Sequence, residues 1–246
     1  GGRFHGGWWQ SIKEDWRKQI YINDESTIEQ DYSGLHINLL YGLQGLEPQR
    51  DPYTLDNLLG FSDAEQRKIV KGLALMGINA LSPKAAFSAF RQDQQTGSVE
   101  KSLKDKQLKL LLEAFKEKHP AIADSICADK GVELMQVDGR ITAKVVNHFT
   151  KKNIPVLTIH DSYITPHSHT GELRRVMNDA VAEELNGFRI NVDQEGVGSD
   201  QIQAFKNMDR ANALDYNYSN VPSYNRTEGY NKRLKQHNGW LLKVNN

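Results

Sequence analysis

A single cysteine, Cys127, stands in 246 residues, which excludes an internal disulfide framework and a cysteine-rich zinc site. An excess of charge of one sign is also lacking, since Lys+Arg and Asp+Glu number 31 each. No global basic footprint therefore announces nucleic acid, although a local groove can be basic while the whole is neutral. No apolar run approaches the roughly 18 residues that cross a bilayer, and nothing at the start resembles a secretory signal. These absences give an intracellular chain with no membrane partner. There is no internal repeat. At 27.9 kDa the chain can bury one sizeable core, or one domain with an inserted lobe. Its first residue is Gly, so a processed product or the carboxy-terminal part of a longer chain is expected.

The sequence is organised around residues 26–41, STIEQDYSGLHINLLY. Thr27 to Gln30 read as a short strand that delivers Asp31 at its end. Gly34 breaks the pattern, and Leu35, Leu39 and Leu40 then recur at helical spacing. Strand, sharp turn and helix follow, with Asp31 and the Tyr32 carbonyl at the strand's end. About 130 residues later, residues 154–165 form two β-rich runs around the polar triplet His160-Asp161-Ser162, which reads as a tight hairpin tip. Two strand-borne aspartates can thus meet. Neighbouring carboxylates repel unless a cation lies between them, and Mg²⁺ favours a few carboxylates with phosphate oxygens and water. Taken alone, either aspartate is equally a turn former or a helix cap.

The remaining chain supplies candidates of both kinds. Residues 1–25 interleave glycines, tryptophans and basic residues, a composition that can approach phosphates and stack on bases, or can be a turn followed by core tryptophans. Arg3, Gln10 and Arg17 are its polar candidates. After a loop over 42–53, Ser62 and Glu65 form a capping box that opens a helix running to about Ala80. Arg67, Lys71, Leu75 and Asn79 share one face of it. Two cations there call for an anion, either a triphosphate or a surface acid. Residues 82–90 read as a helix, 91–98 as a polar loop, 99–119 as one long amphipathic helix ended by Pro120, and 132–149 as a helix carrying Gln136 and Arg140. His167 and His169 read as exposed loop residues rather than a metal site. Thr170 to Asn186 is an ordinary amphipathic helix. From Asp200 the chain turns polar, with Lys232, Arg233, Lys235 and Lys243 unanswered by acids, giving a loose tail that touches nucleic acid or is solvated.

In this order Asp31-Tyr32-Ser33, the helix face of Arg67 and Lys71, and His160-Asp161-Ser162 resemble motifs A, B and C of the family A DNA polymerases and of the single-subunit phage-type RNA polymerases. Gly2-Arg3-Phe4 with Gln10 and Arg17 resembles the family segment that tracks the primer-template. Met135-Gln136 resembles its helix whose Gln reaches the template minor groove. The resemblance spans about residues 2–185 and rests on short motifs in fixed order.

What the resemblance implies is an α/β (α+β) fold: a polymerase palm with a small antiparallel sheet from residues 1–41 and 131–199, a helical fingers insertion over 42–130, a polar basic tail over 200–246, and no thumb. It implies two Mg²⁺ ions on Asp31, Asp161 and the Tyr32 carbonyl, with Lys71 protonating the leaving group. Arg67, Lys71, Leu75, Asn79, His36 and Tyr32 would contact the nucleotide; Arg3, Gln10, Arg17, Gln136 and His160 would contact primer-template. DNA synthesis from dNTPs is the first expectation, with RNA or primer synthesis from NTPs, one part of a split polymerase, or a catalytically degenerate palm that binds nucleic acid as alternatives. A phage or plasmid origin fits such a protein, and a further domain or subunit would supply the thumb. The sequence departs from the family in several places. Asn79-Ala80 replaces its Tyr-Gly. His36 stands where the DNA polymerases carry a Glu, which favours deoxynucleotides. Ser162 follows the RNA polymerase form of motif C. The spacings between motifs are also short.

Overall fold

The computed structural model describes residues 4–18, 20–23, 25–48 and 51–196, all within the compact unit Gly1–Val197. Arg3 and the tail from residue 200 lie outside the described residues.

The fold is mixed, with a small antiparallel sheet and a set of helices. Strand β1 (Tyr21–Ile22) turns back into the central strand β2 (Glu25–Tyr32). Strands β3 (Leu157–Ile159) and β4 (Ser162–Pro166) form the hairpin expected around His160-Asp161. β4 pairs with one edge of β2 and β5 (Val192–Gly196) with the other, giving a five-stranded sheet. β2 is longer than its local residues announce. The expected strand, Thr27 to Gln30 with Asp31 and Tyr32 at its end, is extended at its start by the β1 turn, and β5 pairs Asp31 with Asp193 and Tyr32 with Val192.

Alternation along β2 gives it two faces. Ile28, Gln30 and Tyr32 are fully buried under helix α8 (Thr170–Glu184), which packs on helix α7 (Gly131–Lys151). The Tyr32 hydroxyl donates to the Met177 carbonyl at 2.7 Å, and the Tyr163 and Thr142 hydroxyls bond at 2.9 Å. Glu29 and Asp31 face the opposite way. There a small second core forms from Ile20, Ile159 and Ile164, with Trp9 and Ile12 packed on it. Trp9 Nε1 donates to the Thr158 carbonyl at 2.9 Å, whereas Trp8 and Trp16 remain exposed. Around them lie a short turn at Trp8–Gln10 and the helix α1 (Glu14–Arg17).

After β2 comes α2 (Leu35–Gly42), then α3 (Asp63–Asn79), α4 (Pro83–Asp93), α5 (Val99–Ser102) and α6 (Asp105–Lys118). The capping box is as expected: Ser62 Oγ accepts from the Glu65 amide and Glu65 accepts from the Ser62 amide. α3 packs on α4 and α6, and their apolar faces join the same core as the sheet.

Three expectations are corrected. Residues 99–119 form two helices rather than one, because Leu103 turns into the core at 3% exposure. Its carbonyl accepts from Arg91, and Gln107 caps the new start at Lys104. The helix expected over 132–149 extends from Gly131 to Lys151. His167 and His169 are half-buried rather than exposed, with Nδ1 atoms 3.0 Å from Glu25 and 3.4 Å from Glu172.

Candidate active site

Sheet pairing brings the two aspartates together. Asp31 lies directly across from Ser162, the residue after Asp161, and the Tyr32 amide donates to the Asp161 carbonyl at 3.3 Å. Asp161 occupies a two-residue turn with His160, whose φ of 50° is a left-handed conformation uncommon outside glycine. The chain leaves β2 just as sharply. Gly34 has φ 59°, and a side chain there would begin 3.1 Å from the Tyr53 hydroxyl. Both the backbone conformation and the close approach require glycine.

The electrostatics of this corner are unfavourable as they stand. Burial pushes the Asp31 carboxyl up to about 7; Asp161, Glu29 and Asp193 add to the rise, while Lys71 opposes it. Its Oδ1 is buried with no hydrogen-bond partner among the described residues. A buried carboxylate oxygen left unpaired is costly, and a bound cation relieves both the orphaned oxygen and the repulsion. The donors are hard oxygens suited to Mg²⁺, which is held through one or two carboxylates with the rest of its shell from water and phosphate. Among the described residues no three His, Cys, Asp or Glu side chains form a cage for a metal. Asp31 and Asp161 therefore fit such an ion.

The cationic helix face looks onto the same corner. Asp31, Lys71, Arg67, Tyr53, Arg189 and Asp193 are among the residues lining a cleft of about 700 Å³. A smaller adjoining cavity of about 110 Å³ is lined by Asp31, Lys71, Asp161, His36, Leu75 and Tyr53 among others. Arg67 and Lys71 lie over the Tyr53 ring, 5.7 and 6.0 Å from its centroid. The anion expected to face these cations is in part internal. Arg67 Nε donates to Asp51 at 2.7 Å. Burial works against the Asp51 charge, but bonds from Arg67, Thr54 and the Tyr53 amide hold its carboxyl down at about 2. Lys71 has no ion pair among the described residues; Asp31 is the acid whose charge it offsets.

Other expected residues divide. His36 and Leu75 line the small cavity. Tyr32 does too, but its hydroxyl is committed to Met177, so its backbone is what the cavity can use. Asn79 is not among the cavity's lining residues. It donates to the Leu75 carbonyl at 2.7 Å and packs where a side chain on Gly131 would otherwise stand. Arg17 forms a two-pronged pair with Glu29 at 3.0 and 3.2 Å. Gln10 donates to the Thr158 carbonyl at 2.8 Å and accepts from the Gly6 amide. Both side chains thus have internal work that sequence reasoning did not assign. Gln136 and His160 are exposed outside both cavities.

Tyr53, Asp51, Arg189 and Asp193 were not singled out from the sequence. The first two lie in a loop with no periodicity, and the last reaches the site only through the long-range β5 pairing. Asp193 was marked only by an acid in an otherwise strand-like run.

No family model and no curated protein matches the sequence. Among solved structures, the POL domain of Pol1 from M. smegmatis in complex with DNA primer-template and dNTP is similar at 10% identity and a TM-score of 0.47, covering 75% of this chain and 42% of that one. The chain thus spans less than half the length of that structure, and a likeness this slight carries no functional weight.

Proposed function

We propose that the protein is a template-directed nucleotidyltransferase that adds dNTPs to a primer 3′-hydroxyl. The observation that carries this reading is the buried oxygen of Asp31, unpartnered among the described residues, beside Asp161 and in the cleft that Lys71 and Arg67 line. Carboxylates and cations lining the same cleft suit a metal–triphosphate chain laid among them.

In this reading Asp31, Asp161 and the Tyr32 carbonyl would hold two Mg²⁺ ions, which when bound would lower the pKa of the 3′-hydroxyl and neutralise charge on the leaving pyrophosphate. The 3′-hydroxyl gives its proton to solvent water, its oxygen attacks the α-phosphorus, and the bond to pyrophosphate breaks. Lys71 gives a proton to the departing oxygen. Arg67 exchanges Asp51 for the terminal phosphates. His36 and Leu75 flank the sugar, and Asn79 would reach the nucleotide only by giving up its bond to the Leu75 carbonyl. Arg3, Gln10, Arg17, Gln136 and His160 lie along the primer-template, for Gln10 and Arg17 at the expense of their internal bonds. Residues 1–41 and 131–199 form the palm, residues 42–130 the fingers, and the function is intracellular.

RNA or primer synthesis is the second reading. It is favoured by Ser162, whose hydroxyl donates to Glu29 at 2.6 Å in place of a third carboxylate at the hairpin. Primer extension with Mg²⁺ and either dNTPs or NTPs tests both. Extension with dNTPs that Asp161→Ala abolishes supports the first reading. A preference for NTPs supports the second, and extension with neither mix leaves the nucleotidyltransferase proposal without support.

A further inference from the structure

Tyr53 is held in place by nearly every polar group around it, yet its own hydroxyl is left over. Its amide donates to Asp51 Oδ1 at 3.1 Å. Lys118 Nζ donates to the carbonyls of Asp51 at 2.9 Å and Thr54 at 2.5 Å. His119, whose full burial pushes its imidazole pKa down, donates from Nε2 to the Pro52 carbonyl at 2.7 Å and meets the Tyr41 hydroxyl at Nδ1, 2.8 Å away. The loop is thereby fixed on both sides of the ring.

The Tyr53 side chain is only 8% exposed, and among the described residues its hydroxyl makes no hydrogen bond. The hydroxyl is not among the buried polar atoms left without a partner; it stands against Gly34 on the border of the two cavities, where a ligand can reach it. Asp31, Gly34, Tyr53 and Lys71 line both of them. A group lodged at that junction lies among the carboxylates and the cations, and meets the hydroxyl.

We propose that the Tyr53 hydroxyl donates a hydrogen bond to a phosphate oxygen of the bound nucleoside triphosphate, making Tyr53 a phosphate-binding residue. The assignment rests on the nucleotidyltransferase reading above and adds a residue to it. A phosphate rather than a sugar hydroxyl fits the surroundings, because Lys71, over the same ring and without an ion pair among the described residues, calls for an anion. The ring and the hydroxyl then act together: the face of the ring places Arg67 and Lys71, and the hydroxyl adds a neutral donor to the same anion.

The test is calorimetric binding of inorganic tripolyphosphate and of dATP, with Mg²⁺, to the full chain as wild type, Tyr53→Phe and Lys71→Ala. Tyr53→Phe is expected to weaken both ligands by roughly tenfold, the worth of one hydrogen bond to a charged group, with an unchanged unfolding temperature. In extension assays the same variant raises KM for dNTP and leaves kcat near wild type. Unaltered binding by Tyr53→Phe, while Lys71→Ala binds weakly, overturns the proposal and leaves the function standing. Weakening seen with dATP but absent with tripolyphosphate places the hydroxyl on sugar or base, which also overturns it. A lowered unfolding temperature would reveal a structural partner and count against it. Wild type that binds neither ligand removes the proposal and the functional reading together.

Discussion

Replacing Asp31 by Asn in the metal-free protein should raise its stability at neutral pH, although the residue is the proposed centre of the chemistry. The folded chain holds the Asp31 carboxyl at about 7 against an ordinary value of 3.8, chiefly through burial and then through Asp161. A raised acid keeps a proton in the folded state that the unfolded state has released, so stability falls as pH rises from about 4 to 7. The full displacement corresponds to at most about 4 kcal/mol. Asp31 is only half-buried and borders an open cleft, and screening brings this down to about 2 kcal/mol. Asn keeps the shape without the charge. Thermal unfolding in EDTA at pH 8 should therefore show Asp31→Asn melting about 4–8 °C above wild type. The gain should shrink steadily towards pH 4. Added Mg²⁺ should raise the wild type and leave the variant nearly unmoved. A variant less stable than wild type at pH 8 in EDTA would refute the reasoning, because it would mean that the ionised carboxylate already has a partner.

Three further outcomes follow from the geometry. Gly34→Ala must hold φ 59° against the Tyr53 hydroxyl; a loss of about 1–2 kcal/mol is expected in denaturant unfolding, with a raised KM for nucleotide. Tyr32→Phe removes a buried bond to the Met177 carbonyl and should cost about 1–2 kcal/mol while extension activity per folded molecule stays at the wild-type level. Asp51→Asn frees Arg67 from a pair in which both side chains are more than a third exposed. Stability should hardly change, and the KM for triphosphate should fall by up to about fivefold, the worth of such a pair.

The parts of the fold that local chemistry encodes were readable in advance. Gly34 and the leucines after it announce the turn and α2, Ser62 and Glu65 announce the start of α3, and the β-branched runs on either side of His160-Asp161 announce the hairpin. Elements set by distant partners were not. β2 ends at Tyr32 as read, but it starts at Glu25 because β1 turns onto it, and it has a second edge partner in β5, more than 150 residues away. The break at Leu103 comes from core packing and from Arg91, neither visible in the helical periodicity of 99–119. The site shows the same division. Asp31, Asp161, Lys71 and Arg67 stand in recognisable local settings. Tyr53 reaches the cavities because Lys118 and His119 pin its loop, contacts that no spacing reveals. The internal partners of Arg17 and Gln10 likewise depend on how the amino-terminal segment lies across the sheet.

The central claim is tested most directly by single-nucleotide incorporation onto a labelled primer, with Mg²⁺, on four templates that differ only in the next base. Each template should select its complementary nucleotide, and Asp161→Ala should abolish incorporation on all four. Incorporation that ignores the template, or that survives Asp161→Ala, would contradict that claim.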